Sequence, residues 1–148
     1  MELGIYNAQM LRLAAEAAGA GRLSARDGSA KIVNPVCGDQ ITVDVGTAGG
    51  RIAAIGYEVH ACVLTQASAS LLGRHAPGRT ATEIGEVAAR IEAMLRSEGA
   101  APAGGWSDYA ALEPVRAHSS RHECVMLPLR ALLAALAAGG STDRESQD

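Results

Sequence analysis

Phenylalanine is absent from this 148-residue chain, and aromatic residues make up only 3% of it. A core must therefore be built from Ala, Leu, Ile and Val, which lets helices approach closely, and few rings remain to stack on unpaired bases. Basic residues are short as well: 13 Lys and Arg stand against 16 Asp and Glu, a net charge of −3, and no Lys/Arg cluster occurs. That balance argues against a nucleic-acid partner. No apolar run is expected to span a bilayer, and the start Met1-Glu2-Leu3-Gly4 has neither the basic opening nor the apolar core of a secretory signal. The expectation is a cytoplasmic protein with no membrane association. Cysteines number three, an odd count. In a reducing compartment they read as thiols or metal ligands rather than a disulfide framework. The alternative is that all three are small buried hydrophobes.

What is present is a chain of one domain's length with alternating and helical patterns in succession. Leu3, Tyr6, Met10, Leu13, Ala14 and Ala17 recur at helical spacing, which predicts a helix over 3–18 with Tyr6 anchored on its buried face and Gly19 and Gly21 as its stop. Ile32-Val33 suggests a short edge strand over 30–33. Ile41, Val43 and Val45 alternate with Thr42 and Asp44, and 51–59 returns with Ala53, Ile55, Tyr57 and Val59 on one face. Gly46-Thr47-Ala48-Gly49-Gly50 between them is a glycine-rich reversal, so the pair reads as a β-hairpin.

A helix over 63–72 follows, with Gly73 as its end and the small residues Ala67, Ser68, Ala69 and Ser70 permitting close backbone approach. Thr80-Ala81-Thr82-Glu83 fits a capping box for a further helix with an Ile84, Val87, Ala88, Ile91, Met94, Leu95 stripe. After a loop to Gly105, 106–112 reads as a short helix. A final helix over 127–137 has Pro128 in its first turn. From Gly139 the chain is polar and reads as a disordered tail, leaving a single domain over residues 1–138.

The chemistry gathers on Asn34-Pro35-Val36-Cys37-Gly38-Asp39 and on the segment ending at Cys62. Pro35 stiffens the approach and Gly38 permits a tight turn, so Cys37-x-Asp39 can aim both side chains at one centre. If Val45 faces Ile52, Cys37 lies opposite His60 with Cys62 just beyond. Cys37, Asp39 and Cys62 then meet at the open end of the hairpin. Cys62 and Cys124 are both placed near a helix N-terminus, where the dipole favours thiolate. Cys37, Asp39, Cys62 and Cys124 together would make a three-sulfur, one-oxygen set for zinc or for an iron–sulfur cluster, and the long unequal gaps between them decide neither. The carboxylate, harder than thiolate, suits exchange of a soft ion better than permanent structure. A thiol enzyme with Cys62 or Cys37 as nucleophile and His60 as base is a separate possibility. His75, His118 and His122 are expected on solvated loops.

Three segments carry a family resemblance: Asn34-Pro35-Val36-Cys37-Gly38-Asp39, Cys62 with Ala67-Ser68-Ala69-Ser70, and Arg121-x-x-Cys124-x-x-Leu127. In this order they resemble the U-type iron–sulfur assembly proteins (the NifU N-terminal domain, IscU, SufU). The long interval between Cys62 and Cys124 looks like the SufU branch. The resemblance implies an α+β fold, a three-stranded antiparallel sheet flanked by helices, with Cys37, Asp39, Cys62 and Cys124 as metal or cluster ligands. It implies a scaffold or zinc-dependent sulfur acceptor rather than a conventional enzyme. Such a protein takes sulfur from a cysteine desulfurase of the SufS/IscS type on Cys37 or Cys124, holds zinc, iron or a transient [2Fe-2S] cluster, and serves Fe–S acceptor proteins. Glu123 stands where IscU has a histidine, which leans towards the zinc-binding SufU type. The contrasting reading is a structural zinc-binding adaptor that transfers no sulfur.

Overall fold

The computed structural model describes residues 7–35, 38–97 and 99–147. Three antiparallel strands, β1 (Gly28–Val33), β2 (Gln40–Ala48) and β3 (Arg51–His60), lie in the order β1-β2-β3. Four α-helices flank them: α1 (Ala8–Glu16), α2 (Val63–His75), α3 (Ala81–Arg96) and α4 (His122–Gln147). This is the α+β architecture expected.

The hairpin differs in register from the expectation. Only Gly49 and Gly50 form the reversal, both left-handed at φ 60° and 77°, the backbone of a tight two-residue turn. Ala48 pairs with Arg51, and an irregularity between Gly46 and Thr47 shifts the ladder. Val45 therefore faces Ile55 rather than Ile52, and His60 faces Gln40 rather than Cys37. The same shift leaves Ala53 exposed and buries Ile52 beside Ile55 and Tyr57. Continued beyond its last pair, this register brings Asp39, not Cys37, level with the start of the connection to Cys62.

α2 is the central helix, packed against both α1 and α4. It runs through Gly73 instead of stopping there. A Cβ at Gly73 would lie 1.8 Å from the Ala18 carbonyl oxygen, so this glycine is required by the close crossing with the end of α1. Thr80 and Glu83 form both halves of the capping box of α3. The predicted short helix is a longer 3₁₀ segment, Gly104–Ala117, whose Trp106, Tyr109, Leu112 and Val115 are buried. The region of Leu3 and Tyr6 lies outside the described residues, and α1 begins at Ala8 with the Asn7 side chain accepting a hydrogen bond from the Met10 amide.

α4 starts earlier than expected, at His122, which puts Cys124 in its first turn and Pro128 in its interior. It covers β1 and β2 and contacts α2 and α3. At its far end it continues through the segment from Gly139 that composition marks as a tail. Contrary to the sequence expectation, Ser119–Gly139 is long and apolar enough to cross a membrane by length and composition, but most of it is buried as the core helix of this domain.

Candidate metal centre

Three chain segments converge at one end of the sheet. The β1–β2 connection is closed by the Asn34 amide donating to the Asp39 carbonyl and the Gly38 amide to the Asn34 carbonyl, each at 2.8 Å. Gly38 takes φ 80°, which an L side chain rarely adopts, and so releases Asp39 at the foot of β2. Cys62 is the N-cap residue of α2, extended at φ −69° and ψ 171°. Cys124 comes from the first turn of α4.

The ligating atoms of Asp39, Cys62 and Cys124 all lie within 4.8 Å of one another. Around a tetrahedral zinc, thiolate sulfurs stand about 3.8 Å apart, given Zn–S near 2.3 Å. Two thiols and a carboxylate at this separation therefore fit a thiophilic ion. Asp39 and Cys62 are half-buried and form the open side, whereas Cys124 is only 1% exposed. Cys37, proposed as a further ligand and as a sulfur acceptor, lies outside the described residues.

The two described thiols are electrostatically unequal. The hydrogen bond with Cys124 lowers the Cys62 thiol, burial opposes it, and the Thr65 backbone and hydroxyl lower it further, to about 6. Cys124 is pushed the other way, first by that same bond to Cys62 and then by burial, with Arg121 opposing the rise. The bond between them thus lowers the one thiol at the expense of the other. A cation held by both sulfurs would release the protons they carry.

The match to known proteins agrees with this geometry. The family model of the NifU-like N terminal domain matches residues 5–137. The chain belongs to the NifU-like N-terminal domain family. Its fold is similar to the crystal structure of the N-terminal part of a nitrogen-fixing NifU-like protein from Brucella abortus, at 31% identity and TM-score 0.88, covering 93% of this chain and 95% of that one. A putative iron–sulfur cluster assembly scaffold protein for the SUF system from Fervidobacterium islandicum shares the fold at 22% identity and TM-score 0.83, covering 92% and 99%. The search of curated proteins returned no match.

In this NifU-like domain the histidines stand apart from the ligand group. His60 is exposed at the end of β3 and is not among the three converging groups, so the proposed histidine base gains no support. His75 is not on a loop: it ends α2, with Nε2 2.9 Å from Asp108. His122 is not on a loop either: it opens α4 and is buried, with Nε2 3.1 Å from the Arg116 carbonyl. Glu123 is bound to Arg130 at 2.6 and 2.7 Å and to Arg96 at 3.4 Å.

Sequence reasoning missed Thr65. Its side chain is fully buried among the ligand residues, with Oγ1 3.7 Å from Cys62 Sγ, 3.4 Å from Asp39 Oδ2 and 2.8 Å from the Cys124 carbonyl, to which it donates. The available signal was its place one helical turn after Cys62.

Proposed function

We propose that this protein is an iron–sulfur cluster assembly scaffold that accepts sulfur from a cysteine desulfurase of the SufS/IscS type and passes sulfur or a nascent cluster to acceptor proteins in the cytoplasm. The single observation that carries this reading is the convergence of Asp39, Cys62 and Cys124, from three separate elements of a NifU-like fold, within 4.8 Å. Cys37, one residue from Gly38 in the same connection, completes the proposed ligand set. Zinc, when bound, would keep these thiols deprotonated. The carboxylate of Asp39 is the hardest donor in the set and the one that makes exchange of zinc, iron or a [2Fe-2S] cluster easiest.

Sulfur acceptance needs a reachable thiolate. The acceptor thiolate attacks the outer sulfur of the donor's persulfide and a new S–S bond forms on the acceptor. The donor's own S–S bond breaks, and its cysteine leaves as a thiolate. Cys124 is sealed from solvent and its thiol is pushed up, so it is the poorer of the two proposed acceptors. Cys37 is the acceptor proposed here, and the half-buried Cys62, lowered to about 6, is the described thiol that competes with it.

The test is elemental analysis with acid-labile sulfide on anaerobically purified protein, followed by mass spectrometry after incubation with a desulfurase and cysteine. The expected result is bound zinc or iron and the mass of one added sulfur on Cys37. Bound metal without any persulfide would instead identify a structural zinc domain, and absence of both would overturn the reading.

A further inference from the structure

Pro128 lies inside α4 and has no amide hydrogen, so the carbonyl four residues before it, that of Cys124, lacks its regular helical donor. Cys124 is buried, and a buried carbonyl without a partner is costly. The missing bond is supplied from another helix: Thr65 of α2 donates its hydroxyl to that carbonyl at 2.8 Å. One turn further along α2, Ser68 donates to the Val125 carbonyl at 2.7 Å. Two adjacent carbonyls of α4 are thus tied to two hydroxyls of α2, at the level where α2 presents Cys62 and α4 presents Cys124.

We propose that Thr65 is a positioning residue of the ligand centre: its hydroxyl takes the place of the amide hydrogen that Pro128 lacks, and so fixes Cys124 relative to Cys62 and Asp39. This inference rests on the ligand reading above and deepens it. A hydroxyl has one proton. The bond to the Cys124 carbonyl, the shortest of the three contacts, holds it. Cys62 Sγ and Asp39 Oδ2 lie further from the same oxygen, at 3.7 and 3.4 Å. Thr65 therefore serves the centre through the helix backbone and the spacing it sets.

The pairing with Pro128 makes the idea separable from a general packing role. Thr65→Val keeps the shape and removes the hydroxyl, leaving the Cys124 carbonyl without a partner. Pro128→Ala restores an amide hydrogen to that carbonyl and makes the hydroxyl dispensable. Zinc affinity would be measured by competition with a chromophoric chelator, and the ligand field from the absorption of the cobalt(II)-loaded protein. Thr65→Val is expected to weaken zinc about tenfold and alter the cobalt spectrum, as loss of an orienting partner does. Thr65→Ser is expected to behave as the native protein, and Thr65→Val combined with Pro128→Ala to return most of the affinity and the native spectrum.

Native zinc affinity in Thr65→Val, or a double variant as weak as Thr65→Val alone, would overturn the proposal. If Thr65→Val does not fold, recovery of the fold in the double variant supports it and failure of both overturns it. The alkylation rate of Cys124 in metal-free protein gives a readout independent of metal. It should rise in Thr65→Val and fall back in the double variant. A native protein that binds neither zinc nor cobalt would sink the ligand reading, while the alkylation rates would still decide the role of Thr65.

Discussion

Arg22 Nε stands 2.7 Å from Asp44 Oδ2, and the Asp44 side chain beneath it is fully buried. Arg26, Ser29 and the Leu23 amide bind the same carboxylate at 3.1, 2.7 and 3.0 Å. The alternation of β2 placed Asp44 on the face opposite Val43 and Val45; the segment before β1 folds over that face and closes it. This cluster fastens the α1–β1 connection to the middle strand.

Acid should loosen that fastening. Burial pushes the Asp44 carboxyl up, but the bonds from Arg22, Ser29 and the Leu23 amide outweigh it and hold the group well below the usual carboxylate range. In the unfolded chain an aspartate titrates near about 3.9. The folded value is the lower one, so the stabilisation is complete above about pH 4 and is lost as pH falls through the folded value. Asp44→Asn should cost about 2 kcal/mol at neutral pH and flatten the acid side of the stability profile. Urea unfolding at a series of pH values checks both.

Removing the carboxylate of the ligand group should release metal without unfolding the domain. Asp39 is half-buried and lies outside the apolar core. Asp39→Ala is expected to lower zinc content from about one per chain, the stoichiometry of a four-ligand site, to well below that, with the melting temperature of the metal-free protein unchanged. Elemental analysis and thermal unfolding, run side by side, test it.

The crossing of α1 and α2 admits no side chain at position 73. Gly73→Ala places a Cβ against the Ala18 carbonyl and should destabilise the fold by about 2 kcal/mol or more. Gly85, within α3, has nothing within 4 Å of its Cβ position, so Gly85→Ala should be neutral or stabilising. A comparison of the two by chemical denaturation separates a steric requirement from a general effect of glycine in helices.

The small polar residues of α2 work as hydrogen-bonding groups as well as spacers. Ser68 Oγ meets the Val125 carbonyl at 2.7 Å and the Tyr109 hydroxyl at 3.0 Å, all of them buried. Ser68→Ala should therefore cost about 1–2 kcal/mol despite removing a single oxygen atom. Equilibrium unfolding reads it directly.

The parts of this fold that were legible in the sequence are those decided locally. Alternation gave both strands of the hairpin, and the Thr80–Glu83 spacing gave a capping box whose two hydrogen bonds are both present. The meeting of Asp39 with Cys62 was read from the hairpin, and motif resemblance added Cys124 to them. What stayed hidden is decided by partners distant in sequence. The register depends on a two-residue glycine turn and a shift at Gly46/Thr47, which alternation cannot distinguish from a longer loop. Gly73 resembles a helix stop until Ala18 is seen against it. Pro128 resembles a helix start unless a hydroxyl from another helix is known to take over the carbonyl it strands. The buried His122 gave no sign in a polar stretch, since its hydrogen-bond partner is a backbone carbonyl.

Each donor of the candidate metal centre is delivered by a different piece of architecture: a strand connection, a helix cap and the opening turn of α4. A nascent chain lacking α4 can offer an ion only part of the set, and a loosely held ion escapes. Full grip would arrive only once α4 has docked, so tight metal capture would act as a certificate that this domain has finished folding. By mass action the captured ion would in turn favour the finished domain over every partly assembled form.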